Sequence, residues 1–92
     1  MHETGIVRNL VRKMVDAAEE AGAVRVSGAE IWLGALSQFS PTHFKDHFDD
    51  DARGTIAAGA RLAITLSDDV SDANAQHVMI RSLELDIEDA EA

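Results

Sequence analysis

The chain begins with the apolar spacing of an amphipathic helix. From Gly5 to Ala21, apolar residues recur at steps of three and four positions and charged residues fall between them. Thr4 is placed to cap this helix, and Gly22 is placed to end it in a left-handed conformation. The pattern predicts a helix over residues 5–21, with the first three residues immediately before it. The apolar positions are Ile6, Val7, Leu10, Val11, Met14, Val15 and Ala18.

After Gly22 the apolar spacing changes to a period of two, which is typical of a strand buried on one face. The alternation changes phase at Ser27-Gly28, and a change of phase predicts a β-bulge. Segments 60–66 and 83–87 alternate in the same way and predict a second and a third strand. The inward positions of the first strand are predicted to be Val24, Val26, Ala29, Ile31 and Leu33, with Arg25, Glu30 and Trp32 facing outward.

A second, short helix is predicted after Phe39. Ser40 can cap it, Pro41 suits its first position, and Phe39 can pack on Phe44 as a hydrophobic staple. The acidic run at 49–51 falls at the end of this helix, where negative charge opposes the macrodipole. We expect this run to fray into solvent or to serve a purpose other than folding.

The order helix, strand, helix, strand, strand predicts an α+β fold, a small mixed three-stranded sheet with two helices packed on it. A length of 92 residues supports a single domain over residues 1–92, with a polar, acidic loop at 67–77. Such a small domain is expected to be a monomer or weak oligomer. A subunit that completes its core with another chain remains an alternative.

The composition of the chain limits the kinds of partner and site that can be expected. With 17 acidic and 8 basic residues the net charge is -9, so the surface repels a phosphate backbone and no nucleic acid partner is expected. The chain has no cysteine, which excludes disulfides and thiolate metal sites. Charged residues interrupt the first helix, so neither a signal peptide nor a membrane span is predicted. We expect a cytoplasmic protein.

His2 is the histidine with the most distinctive chemistry. The amine of the chain, the amide nitrogen of residue 2 and the imidazole of His2 can form fused chelate rings on one metal ion. Nitrogen-rich, planar ligand sets suit Ni(II) and Cu(II). The alternative is that His2 is an ordinary terminal residue without a role, because chain termini are usually poorly ordered.

His43 and His47 form a second candidate metal site. Their spacing of four places both imidazoles on one face of the short helix, near Asp46 and Asp50. Two ligands without a third make a weak site, so a solvated helix face is the favoured interpretation. His77 is expected to be an exposed loop residue, and Trp32 and Met79 are expected to pack in the core or face a partner. No catalytic constellation is present, so the chain is not expected to be an enzyme.

Four motifs in order along the chain resemble the HypA/HybF family of nickel metallochaperones. The opening motif is Met1-His2-Glu3, followed directly by an amphipathic helix. The others are Leu33-Gly34-Ala35-Leu36-Ser37, the stretch Ala52-Arg53-Gly54-Thr55-Ile56-Ala57-Ala58-Gly59-Ala60, and the ending Ser82-Leu83-Glu84-Leu85.

This resemblance implies a nickel site at the start of the chain. His2 would be the side-chain ligand, Met1 and His2 would supply backbone donors, and Glu3 would support the site or face a partner. The ion would be Ni(II), delivered to a hydrogenase or urease precursor together with a maturation GTPase. A [NiFe] hydrogenase is the expected recipient.

The chain departs from the family in two places. The family inserts a zinc module between the second and last strands and holds the ion with two Cys-x-x-Cys pairs. Here that stretch is the short loop 67–77 without cysteine, so no structural zinc is expected. Ala35 stands where the family commonly has an acid. These losses leave an alternative function, a zinc-less docking or regulatory module of a maturation complex that no longer delivers metal.

Overall fold

The computed structural model describes the backbone of residues 3–87 and the side chains of residues 5–87. Its elements follow the predicted order of helix, strand, helix, strand and strand, which confirms the α+β class. They are α1 (Glu3–Glu20), β1 (Ala23–Leu33), α2 (Pro41–Ala52), β2 (Arg61–Leu66) and β3 (Val78–Ile87).

The sheet is mixed, as predicted, with β1 in the centre and the order β2-β1-β3. β1 runs parallel to β2 and antiparallel to β3. Parallel neighbours need a crossover connection, and α2 provides it. The pairing of β1 with β3 shifts register between Val26 and Gly28, so the β-bulge predicted at Ser27-Gly28 is confirmed.

α1 differs from its prediction at the start and agrees with it at the end. The helix begins at Glu3, so Thr4 lies inside the first turn and is not the cap. An acidic residue at a helix start is favourable because it faces the positive end of the macrodipole. At the other end, Gly22 has φ 78° and its N–H donates to the Glu19 carbonyl at 3.0 Å. This geometry confirms Gly22 as the terminating residue.

Both helices contribute to a core against one face of the sheet. Its largest fully buried side chains are Phe44, Phe48, Met14, Ile31, Leu33, Val7 and Val26. One inward position of β1 was predicted wrongly. Val24 is 50% exposed because a further register shift between Ala23 and Arg25 turns it outward. Trp32, predicted to face outward, is not part of the core cluster, but it is only 9% exposed because the Arg81 guanidinium lies 5.5 Å from its ring centroid.

The start of α2 follows the sequence prediction. The Ser40 hydroxyl accepts from the His43 N–H at 3.1 Å, and Pro41 occupies the first turn. The Phe39 and Phe44 rings meet edge to face with their centroids 5.6 Å apart, which confirms the staple.

The acidic run does not fray, so that half of the expectation was wrong. α2 continues through it to the fully buried Ala52. Two of the acids have cationic partners at 2.9 Å, Asp49 with Lys45 and Asp50 with Arg53. The burial of Ala52 anchors the last turn, and the acids form local ion pairs. Together these contacts offset the repulsion between the acids and the negative end of the helix macrodipole.

The loop 67–77 consists of turns that are held by its own polar side chains. The Asp69 carboxylate accepts from the N–H and the hydroxyl of Ser71, and the Asp72 carboxylate accepts from the Asn74 N–H. Aspartate favours turns for this reason. The loop also docks on the segment after β1, since the Leu36 N–H donates to the Ala75 carbonyl at 2.7 Å.

Gly34 lies at the closest approach between this loop and the end of β1. Its N–H donates to the His77 carbonyl at 2.9 Å. A Cβ atom at position 34 would overlap the backbone carbonyl of Ala75 and lie 2.6 Å from the Asn74 carbonyl oxygen. The glycine in the motif at 33–37 is therefore required by backbone packing. Within residues 3–87, neither helix has the length and apolar content to cross a bilayer.

Candidate functional site

The predicted nickel ligands lie at the edge of what the structure describes. Met1 and His2 fall outside the described residues, and Glu3 is described only as the first backbone position of α1. The structure therefore locates the helix start that follows the ligands. The ligand set at Met1, His2 and Glu3 stays a prediction.

The start of α1 lies at the end of the sheet where β1 finishes. α1 turns directly into β1 at Gly22, so the two elements run in opposite directions. Ile6 and Leu10, from the first half of α1, line a shallow cavity with Val78. Val78 pairs with Leu33, the last residue of β1. Residue 3 is therefore near the end of β1, not its beginning.

α2 begins at the same end of the molecule, because the chain leaves β1 at Leu33 and enters α2 at Pro41. Further along, Asp51 shares a surface groove with Arg8, Arg12 and Val15 of α1. The two helices consequently run in the same general direction. Their first turns, which hold Glu3 and His43, lie at the same end of the helix pair.

His43 and His47 converge closely on the surface of α2. Their Nε2 atoms are 3.1 Å apart and their ring centroids are 4.8 Å apart. This separation is a hydrogen-bond distance, and which ring donates depends on the tautomers of the two imidazoles. Both side chains are half-buried.

Phe39 forms an aromatic floor beside both imidazoles. Its ring centroid is 5.6 Å from that of His43 and 6.5 Å from that of His47. Phe39 is itself 4% exposed and is held by its contact with Phe44. Sequence reasoning placed Phe39 as a staple and missed this second contact. The signal was present in the spacing, because a residue just before a helix start faces the same side as residues in its first turns.

The acids expected near the histidine pair do not complete a metal cluster. Asp46 is exposed, and Asp50 is paired with Arg53. Asp51 lies one turn beyond His47, and its buried Oδ2 has no hydrogen-bond partner among the described residues. Across residues 5–87, no three His, Asp or Glu side chains are grouped so that they could hold a metal ion.

His77 immediately precedes β3 and is not part of α2. Its side chain is exposed, as predicted, and its backbone carbonyl accepts from the Gly34 N–H. Trp32 is buried beneath Arg81 and is not one of the residues of the core cluster.

Comparison with known proteins identifies one family. A family model described as "Hydrogenase/urease nickel incorporation, metallochaperone, hypA" matches residues 1–76. Hydrogenase maturation factor HypA from Chlorobaculum tepidum is 38% identical over 64 residues, which cover 70% of this chain and 57% of the relative. Hydrogenase maturation factor HypA from Chloroflexus aurantiacus is 41% identical over 64 residues, 70% of this chain and 56% of the relative. The matches thus span little more than half of these relatives.

Solved structures show the same fold. The solution structure of the Ni metallochaperone HypA from Helicobacter pylori superimposes with a TM-score of 0.77 and 16% sequence identity, covering 96% of this chain and 100% of that chain. A solution structure of HypA protein superimposes with a TM-score of 0.75 and 17% identity, covering 96% of this chain and 98% of that chain. At this level of identity the likeness concerns the fold alone.

Proposed function

Because the chain belongs to the HypA family of hydrogenase/urease nickel-incorporation metallochaperones, we propose that it binds Ni(II) at Met1-His2-Glu3 and delivers the ion to the precursor of a nickel enzyme. The observation that carries this proposal is the family match, which starts at residue 1 and includes the tripeptide. The relatives named as hydrogenase maturation factors favour a [NiFe] hydrogenase as the recipient.

The tripeptide supplies the ligands that nickel prefers. The Met1 amine, the His2 amide nitrogen and the His2 imidazole form fused chelate rings around one ion, a nitrogen-rich set suited to planar Ni(II). The nearby start of α1 at Glu3 places the positive end of a macrodipole beside a cation, which is unfavourable. Loss of the amide proton on binding and the Glu3 carboxylate both offset this charge. Glu3 therefore has a supporting electrostatic role.

Delivery proceeds by ligand exchange. Ligands at the start of a chain can be replaced one at a time by those of an acceptor, whereas a closed cage would hold the ion back. The net charge of -9 favours an acceptor or maturation GTPase with a basic docking surface. Since the chain has no cysteine, it cannot hold a structural zinc ion with four thiolates, and docking uses other surfaces. The protein acts in the cytoplasm as a carrier and not as an enzyme.

A nickel titration of the chain with a free Met1 amine tests this site. We expect one equivalent of Ni(II) to bind with the visible absorption band of planar nickel, because the amine and amide nitrogens enter the coordination plane. The matched variant carries an N-acetylated Met1, which keeps every side chain and removes the free amine as a nickel ligand. This variant should lose the planar band.

Two other results would contradict the proposal. An unchanged band in the acetylated chain would place nickel away from the free amine. Absence of nickel binding by both chains would favour the alternative function, a docking or regulatory module in which the loop 67–77 stands in place of the metal-binding insertion.

A further inference from the structure

The strongest feature outside the terminal motif is the convergence of His43 and His47. We propose that these two histidines form a second, bidentate site for a borderline divalent cation such as Ni(II), in the first turns of α2. Its two ligands belong to α2 and are not residues of the terminal motif.

The spacing of the two nitrogen atoms fits one metal ion. With metal–nitrogen bonds of about 2.1 Å, an Nε2–Nε2 distance of 3.1 Å corresponds to a ligand–metal–ligand angle of about 95°. This angle belongs to adjacent positions of a square-planar or octahedral ion, the geometries of Cu(II) and Ni(II). The separation of the two nitrogen atoms would not have to change, although the rings would turn so that both lone pairs point at the ion. A bound ion would take the place of the Nε2–Nε2 hydrogen bond.

The surrounding packing holds the pair in this arrangement. The two residues are one turn apart on a helix whose start is fixed by the Ser40 cap. Phe39 contacts both rings, and the fully buried Phe44 and Phe48 anchor α2 to the core. Imidazoles restrained in this way lose less side-chain entropy on binding than two freely rotating ones.

Two ligands leave the remaining positions around an ion to other donors, which fits transient holding. Among the side chains of residues 5–87, no third His, Asp or Glu accompanies the pair. The first turns of α1 and α2 lie at the same end of the helix pair. The second site is consequently placed where it could receive an ion from the terminal motif or pass one to it.

A nickel titration in a His2→Ala background tests the inference, because this change removes the proposed terminal site. We expect calorimetry to detect one remaining equivalent of Ni(II). Adding His43→Gln or His47→Gln should each lower its affinity by at least about tenfold, the smallest effect seen even for residues behind the ligands. Adding His77→Gln should leave the affinity unchanged, since His77 is exposed and is not part of α2. Far-UV circular dichroism checks that each variant keeps its helices.

A second measurement reports directly on the nitrogen atoms. Titration with diamagnetic Zn(II), followed by imidazole nitrogen NMR, should shift the Nε2 signals of His43 and His47 and leave those of His77 in place. The inference is overturned if the His2→Ala chain binds no nickel, or if His77→Gln weakens binding as much as His47→Gln. Neither result would count against nickel binding at the terminal motif, which the free-amine titration tests separately.

Discussion

Replacement of His2 by alanine is expected to lower the affinity for the first equivalent of Ni(II) by at least about 100-fold. The change removes the imidazole that closes one of the fused chelate rings, and even loss of a residue behind the ligands costs about 10–100-fold. Competition against a colorimetric nickel chelator measures the affinity. The matched control is His77→Ala, because His77 is an exposed loop histidine whose loss should leave the affinity unchanged.

Equal affinities in the two variants would contradict the assignment of His2. Nickel bound at His43 and His47 would remain in His2→Ala as a weaker class of sites. The competing chelator must therefore be strong enough to remove nickel from the weaker site at His43 and His47. It must also leave nickel bound at the terminal site of the unmodified chain.

Substitution of Gly34 by alanine is expected to lower the free energy of unfolding by about 3 kcal/mol, the upper part of the range for forced overpacking. The added Cβ would meet the backbone carbonyls of Asn74 and Ala75, which cannot rotate away as a side chain could. Relief of the clash requires the loop 67–77 to leave the end of β1, breaking the hydrogen bonds to the Ala75 and His77 carbonyls. Urea denaturation followed by circular dichroism measures the loss.

Gly5→Ala is the control for this substitution. Gly5 lies in α1 with no atom within 4 Å of an added Cβ, so alanine should raise the free energy of unfolding by about 0.5–1 kcal/mol through helix propensity. If Gly34→Ala were as stable as the unmodified chain, the loop would not be docked on Gly34 as the structure shows it.

The elements could be predicted from the sequence because each has a strong local signal. The apolar steps of three and four predicted α1, and Ser40-Pro41 with the Phe39 staple predicted the start of α2. The change of phase at Ser27-Gly28 predicted the bulge. In these cases short-range sterics and hydrogen bonding decide the structure, so the local pattern was sufficient.

The errors, and the unpredicted contact of Trp32 with Arg81, arose where contacts distant in sequence decide the outcome. Val24 fits the alternating pattern of inward apolar positions, yet a register shift between β1 and β3 exposes its side chain. The run at 49–51 looked unfavourable for a helix, but the burial of Ala52 holds the last turn in place. Trp32 stood at an outward position, and Arg81 from β3 covers its ring. None of these partners can be identified from the periodicity of one segment.

The two candidate sites could also be predicted from the sequence only in part. Spacing placed His43 and His47 on one face, but their 3.1 Å separation depends on side-chain rotamers set by Phe39 and the core. The terminal motif was recognised by family resemblance and by its chelating chemistry. Periodicity carries no information about such a site, because its ligands are backbone nitrogens and one side chain at the start of the chain.

Nickel transfer to an acceptor tests the central claim most directly. The free-amine chain, loaded with one equivalent of Ni(II), is mixed with a nickel-free [NiFe] hydrogenase precursor and an excess of chelator that captures free nickel. Metal analysis after size-exclusion chromatography then follows the ion. We predict that nickel reaches the precursor from the loaded chain, and does not reach it from free Ni(II) or from the His2→Ala chain. Equal transfer from all three sources, or nickel retained by the loaded chain, would contradict a delivery function.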